Sequence, residues 1–520
     1  MKVAIKAVVF LVLFILAEMG LAQNARTPGA AECAAMSAFR VPGEPIEITK
    51  AEWIPAAAAP STPPARGYGG PMPAYCKVSG VINRRTGVGG REFGIGFEVA
   101  LPEDWNRDFL MQGGGGTNGV IMPPLGAQVA GDKPGLLRGF AVVSNDTGHK
   151  NLSAGLDGSF RVDQQAALDF AFEANVRVAE MTKRMIAEYY RRATAHSYFV
   201  GCSTGGREGM ILTQRYPTEF DGVVSGAPAM VTGLSGVADR WVSVSLNQAA
   251  PRDAAGNAIP REGLSESDRK LVIDGILQRC DARDGIRDGM IFDPIGCDFN
   301  PATLICAGAK TDTCLTSQQV AAVQRAFSGP KDSRGVQVYP GFFFDTGINA
   351  KTGMPGLLTA PPPPQGGPSP TVQDVDREVA TAPNPLADAV STNLTTFSGH
   401  GGKQIFYHGV SDPWFSAKET LSYYQDMAAA NGGLPQVLNW SRLYLVPGMG
   451  HCQGGEATLD RMDMLTAIVD WVEKGAAPDS VLATGRAFPG RSRPLCAWPK
   501  HAQYKGEGKP EDAKNFVCQE

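Results

Sequence analysis

The sequence predicts an α/β protein, a doubly wound sheet interrupted by one large insertion. Three observations carry this expectation. Short apolar runs alternate with longer stretches whose apolar residues step by three and four. The alternation stops between about Pro228 and Ser398. Ten cysteines follow an N-terminal leader pattern, so cross-links are expected in a chain already long enough to bury its own core.

The leader comes first. Lys2 and Lys6 precede the apolar run Ala7–Ala17, and Gly20-Leu21-Ala22 closes it with small residues. This is the pattern of a secretory signal peptide, residues 1–22, cleaved after Ala22. Export to an oxidising compartment, secreted or periplasmic, makes the even cysteine count a disulfide set. Residues 23–75 are rich in Ala and Pro and read as an extended segment. Strand-like runs follow at Phe97–Leu101, Asp108–Gln112, Phe140–Ser144, Tyr198–Gly201, Gly222–Ser225, Gln404–His408 and Leu443–Val446. Asp163–Arg192 is helix-like, with Ala167, Phe170, Ala174, Val178, Met181 and Met185 on one face. Ser416–Ala430 and Thr458–Glu473 read the same way. The core is therefore expected over 23–227 and 399–520, with an inserted domain over 228–398 ending in the Pro-rich run Ala360–Pro368. A formal charge of −4 with no basic run argues against nucleic-acid binding. No second apolar stretch spans a bilayer, so no membrane contact is expected after leader removal.

Tyr198-Phe199-Val200 runs into Gly201-Cys202-Ser203-Thr204-Gly205-Gly206 and then a helix-like stretch. Strand, tight Gly-flanked turn and helix form the context of a nucleophile elbow, with Ser203 as nucleophile. Such a serine needs a base and an acid that orients it, in the chain order Ser, Asp, His. His451 follows the run Leu443–Val446, and Asp412 follows Gln404–His408. His408 reads as a packed strand-end residue. Oxyanion donors are expected from the Thr204 amide and from the run Gly113–Gly116, with Gly114 the candidate. Trp414 and Phe415, beside Asp412, either form an aromatic wall for substrate or pack in the core.

Cys202 directly precedes Ser203, and Cys452 directly follows His451. With Gly205-Gly206-Arg207-Glu208, Asp221–Pro228, Val446–Cys452 and Arg493–Cys496, this resembles the tannase/feruloyl esterase family. The resemblance implies an α/β-hydrolase core with an inserted lid and disulfide cross-links. It implies a Cys202–Cys452 bond beside the serine and histidine. Family pattern and sequence proximity suggest Cys33–Cys76, Cys280–Cys297, Cys306–Cys314 and Cys496–Cys518. The implied activity is hydrolysis of aromatic or phenolic esters, feruloyl- or galloyl-type, with terephthalate monoesters as the alternative. A non-catalytic polyphenol- or polysaccharide-binding protein on the same scaffold is the reading from another class.

Asp281, Asp284 and Asp288 lie in one glycine-punctuated loop, hard oxygen donors at short spacing that suit Ca²⁺. A solvated series of Asp-Gly turns is the other reading. The resemblance implies a structural lid calcium held by these carboxylates and by the carbonyls of Ile286 and Met290.

Overall fold

The computed structural model describes residues 28–59, 68–153, 156–259, 262–351, 354–359 and 372–520. The expected leader and the Pro-rich run Ala360–Pro368 lie outside them.

The main sheet has nine strands: β1 (Ile46–Ile54), β2 (Tyr75–Thr86), β3 (Glu92–Pro102), β4 (Phe109–Gln112), β5 (Ala141–Asn145), β6 (Ser197–Cys202), β7 (Gly222–Gly226), β8 (Lys403–Gly409) and β9 (Ser441–Val446). Their order is β1-β2-β3-β5-β4-β6-β7-β8-β9. The pairs from β5 through β9 are parallel, whereas β1, β2 and β3 join antiparallel at one edge. The expected strands are all present. β1 and β2 lie where no strand was expected. β2 buries alternate residues only, so it lacks the continuous apolar run that marks the doubly covered strands.

Side chains alternate between the two faces of each parallel strand. Phe109, Met111, Phe199, Val223, Phe406 and Leu443 pack on one face, against α1 (Ala174–Tyr190), α2 (Thr204–Arg215) and later helices. Leu110, Tyr198, Val200, Val224, Ile405 and Tyr444 pack on the other, against the C-terminal part of the chain. The helix expected over Asp163–Arg192 begins at an Asp163 cap, whose carboxylate accepts the Ala166 amide at 3.0 Å. One wider turn at Asp169–Glu173 leads into α1.

Between β7 and β8 no described residue joins the main sheet. This stretch carries α3 (Thr232–Asn247), α4 (Glu266–Cys280), α5 (Ser317–Ser328) and α6 (Val372–Thr381). Ser265 and Thr316 cap α4 and α5. The Trp241 indole of α3 donates to the Arg325 carbonyl of α5 at 2.9 Å. Beyond β8 come α7 (Ala417–Ala430) and α8 (Met464–Lys474). Met464, Leu465, Ile468 and Trp471 of α8 close the second face of the sheet. Two small hairpin sheets end the chain, β10 (Ser480–Thr484) with β11 (Ser492–Cys496) and β12 (His501–Tyr504) with β13 (Phe516–Gln519).

Candidate active site

Ser203 sits between β6 and α2 with φ +65°. Only glycine occupies that region freely, so the serine is held there at a cost of about 1–3 kcal/mol. Crowding explains the flanking glycines. A Cβ on Gly201 would lie 2.4 Å from the Gly205 carbonyl oxygen, and one on Gly205 would lie 2.8 Å from that of Gly114. The turn is pinned by the Ser203 amide donating to Gly226 at 3.0 Å, and by the Ser203 carbonyl accepting the amides of Arg207 and Ala229.

Asp412 and His451 come together from loops after β8 and β9. His451 Nδ1 lies 2.7 Å from Asp412 Oδ2, and both residues are buried. Asp412 Oδ1 accepts the amides of Trp414 at 2.9 Å and Phe415 at 3.1 Å. Burial pushes the Asp412 carboxyl up. The charge of His451 and hydrogen bonds from His408 and His451 outweigh it and hold the group below its ordinary value. His451 Nε2 is buried with no hydrogen-bond partner among the described residues. Trp414 and Phe415 both lean on its ring, with centroids 5.3 and 5.2 Å away.

The bond Cys202–Cys452 links the two loops, with Cα atoms 5.9 Å apart. Ser203 and His451 each lie one residue from it. Cys452 also has a positive φ, +66°, so unusual backbone occurs on both sides of the bridge. Cys33–Cys76, Cys280–Cys297, Cys306–Cys314 and Cys496–Cys518 are joined as well.

The glycine-rich loop after β4 corrects one expectation. The Gly114 amide is not open to an oxyanion; it donates to Glu208 Oε2 of α2 at 3.1 Å. Neither the Gly115 nor the Thr204 amide donates to an acceptor among the described residues. The Thr204 hydroxyl donates to the Gly116 carbonyl, and Asn118 Nδ2 donates to Glu208 Oε1 at 2.5 Å. Burial pushes the Glu208 carboxyl up, against the pull of Arg207 and these hydrogen bonds.

The family description "Tannase and feruloyl esterase" matches residues 76–360 and 371–519. The chain belongs to the tannase and feruloyl esterase family. As a member it is a carboxylic ester hydrolase. It is 36% identical to the mono(2-hydroxyethyl) terephthalate hydrolase of Piscinibacter sakaiensis, over 92% of this chain and 90% of that protein. It is 30% identical to a probable feruloyl esterase B-2 of Aspergillus terreus, over 82% of this chain and 83% of that one. The crystal structure of feruloyl esterase B from Aspergillus oryzae superposes with a TM-score of 0.75 at 25% identity, covering 94% of this chain and 100% of that one. The family's α/β-hydrolase fold accounts for the sheet order and for the positions of Ser203, Asp412 and His451 after its parallel strands. No helix among the described residues is long and apolar enough to cross a membrane.

Other residues at this site make contacts that the sequence did not assign to them. His408 is packed, as expected, but its Nε2 also lies 3.3 Å from Asp412 Oδ2. Its Nδ1 meets Thr420 Oγ1 at 2.8 Å. Asp345, from the stretch between β7 and β8, accepts the Ser411 hydroxyl and the Gly448 amide, each at 2.7 Å. It thereby ties the loop of Asp412 to the loop of His451. Arg207 is buried and donates to the carbonyls of Phe170, Ala171 and Ala387 at 3.0 Å.

In the acidic loop, Asp281 Oδ1 accepts the amides of Asp288 and Gly289 at 3.2 Å. Asp284 Oδ1 accepts the Ile286 amide and Asp288 Oδ1 the Met290 amide, also at 3.2 Å. Asp284 Oδ2 is buried and has no hydrogen-bond partner among the described residues. Asp288 Oδ2 pairs with Arg493. Elsewhere, Asp108, His196 and Glu473 offer ligand atoms all within 4.8 Å of one another.

Proposed function

We propose that this chain is an exported serine esterase that hydrolyses carboxylic esters of aromatic and phenolic acids through an acyl-enzyme. Ser203 Oγ attacks the ester carbonyl while His451 Nε2 takes its proton. His451 then gives that proton to the departing alcohol. Water, deprotonated by the same nitrogen, attacks the acyl-enzyme and releases the acid and Ser203. Asp412 holds the imidazole in one orientation and stabilises its charged form. The amides of Thr204 and Gly115 receive the oxyanion. Trp414 and Phe415 supply an aromatic wall beside the imidazole for a ring-bearing acyl group.

The observation that carries this reading is the Asp412–His451 Nδ1 hydrogen bond, which leaves Nε2 unpartnered one residue from the bridge to the elbow serine. Catalytic serine–histidine hydrogen bonds are often long in the free enzyme and tighten in the substrate complex. The test is a panel of methyl ferulate, methyl gallate, chlorogenate and a terephthalate monoester, run on wild type and Ser203→Ala. Turnover by wild type alone, with unchanged circular dichroism, is expected; turnover by the variant would overturn the assignment. The relative at 36% identity favours a second reading, a terephthalate-type monoester as substrate, and the panel decides it by kcat/KM. Labelling by a fluorophosphonate separates both from a non-catalytic binding protein.

A structural calcium in the stretch between β7 and β8 belongs to the same proposal. The residues present fit it. The orphaned Asp284 Oδ2 needs a partner, and Asp281 and Asp284 bring hard oxygens. Burial and then Asp288 push the Asp284 carboxyl up to about 7, a crowding of negative charge that a cation relieves. The carbonyls of Ile286 and Met290, with Asp288 Oδ1, would complete the set. EGTA is expected to lower the unfolding midpoint of wild type and not that of Asp284→Asn.

A further inference from the structure

The opposite end of the sheet carries a second cluster of titratable groups. His196 precedes β6 and Ser203 follows it, so six residues of strand, roughly 20 Å, separate the two ends. Asp108 precedes β4, the neighbour of β6, and Glu473 lies in the last turn of α8. The three side chains come from three elements and meet at one point. His196 Nδ1 lies 3.4 Å from Asp108 Oδ1 and 3.9 Å from Glu473 Oε1.

The backbone under this cluster is fixed. The Phe109 amide donates to the His196 carbonyl at 3.0 Å, and the Trp105 indole donates to the Asp108 carbonyl at 2.9 Å. The Asp108 amide donates to Asn106 Oδ1 at 2.9 Å. The Asp108 side chain is only 9% exposed, and its carboxylate faces the His196 ring at 3.4 Å. A buried carboxylate whose only donor is one imidazole at 3.4 Å is poorly compensated. It faces an imidazole and a second carboxylate, and Tyr198 Oη donates to that carboxylate at 2.9 Å. The tyrosine is the kind of outer hydrogen bond that orients a metal-binding carboxylate.

We propose that Asp108, His196 and Glu473 bind a divalent first-row transition ion of the zinc class. Zinc takes nitrogen and carboxylate oxygen at about 2.0–2.2 Å, so neighbouring ligands of a tetrahedral ion lie about 3.3–3.6 Å apart. The Asp108–His196 separation is within that range. Glu473, at 30% side-chain exposure, has room to close the remaining gap. Two carboxylates and a neutral imidazole neutralise the ion, and water fills the fourth position. An imidazole among the ligands selects zinc over calcium or magnesium. The C-terminal end of α8 adds a favourable partial negative charge. The ion would staple α8 to the strand ends far from the esterase site, so its effect is on stability and not on turnover.

The test is titration of the metal-stripped full chain with Zn²⁺ by calorimetry, in buffer saturated with Ca²⁺. One ion per chain and a raised unfolding midpoint are expected. His196→Gln and Glu473→Gln should each lower Zn²⁺ affinity at least about tenfold, a loss typical even of outer partners, with ester turnover unchanged. Absence of Zn²⁺ uptake, or equal uptake by wild type and both variants, would overturn the proposal. Equal uptake would place the ion on other histidines.

Discussion

Asp412 spends one oxygen on two backbone amides and the other on two histidines. The amides fix the carboxylate, and its hydrogen bond with His451 Nδ1 sets which imidazole nitrogen carries the proton. Asp412→Asn keeps the shape but favours the wrong tautomer, so kcat is expected to fall about 10⁴-fold with KM little changed. His408→Gln leaves the His451 contact in place, and its loss should stay below about 10²-fold. Stopped-time assays on a common aryl ester distinguish the two. Glu208 acts through the glycine loop. Glu208→Ala strands the Gly114 amide and Asn118, so the loop loses its anchor and kcat should drop about 10²-fold, the worth of one oxyanion donor. Glu208→Gln should be milder. Asn118 Oδ1 has no hydrogen-bond partner among the described residues, so a flipped Asn118 can accept from the new amide. Sequence placed Ser203, Asp412 and His451 by their turns and chain order. Glu208 gave no such signal, because its partners lie 94 and 90 residues away.

At the scale of elements, the strand–turn–helix at Ser203 was legible because its glycines answer a steric demand between β6 and α2. The parallel strands were legible because both faces are covered, so each is buried along its whole length and mostly apolar. β1 and β2 were not, since their pairing exposes one face and mixes Lys, Arg, Ser and Asn into the pattern. The Cys202–Cys452 bridge joins two loops that no strand pairing connects. Replacing both cysteines with Ala should cost about 10²-fold in kcat, the scale of a 1 Å misplacement of reacting groups, with the parallel sheet intact by circular dichroism. Activity equal to wild type would show that the loops hold their positions through Asp345 and the sheet alone.

Over the whole molecule, the stretch between β7 and β8 is bound to the core through buried polar contacts as well as apolar packing. Tyr339 Oη, from that stretch, donates to Glu419 Oε2 of α7 at 2.6 Å, and the Ser416 amide donates to Tyr339 Oη at 3.0 Å. Burial pushes the Glu419 carboxyl up to about 8, more than the Tyr339 hydrogen bond lowers it. From its ordinary value of 4.5 to about 8, the folded chain therefore holds a proton that the unfolded chain has released. Stability from this group falls as pH rises through that window. Glu419→Gln removes the titration, so its unfolding midpoint should gain on wild type between pH 5 and pH 8. A constant difference would rule the carboxyl out as the source. The sequence by itself determined the α/β alternation, the Ser–Asp–His order and the cysteine beside each of Ser203 and His451. Each of these is written in local spacing and in steric demands on a single turn. Tertiary structure alone decided that Gly114 serves Glu208, that His408 reaches Asp412, that Asp345 joins two loops, and that Asp108, His196 and Glu473 meet. Those contacts form only when a parallel sheet aligns the ends of strands distant in the chain, and no local pattern encodes which ends become neighbours.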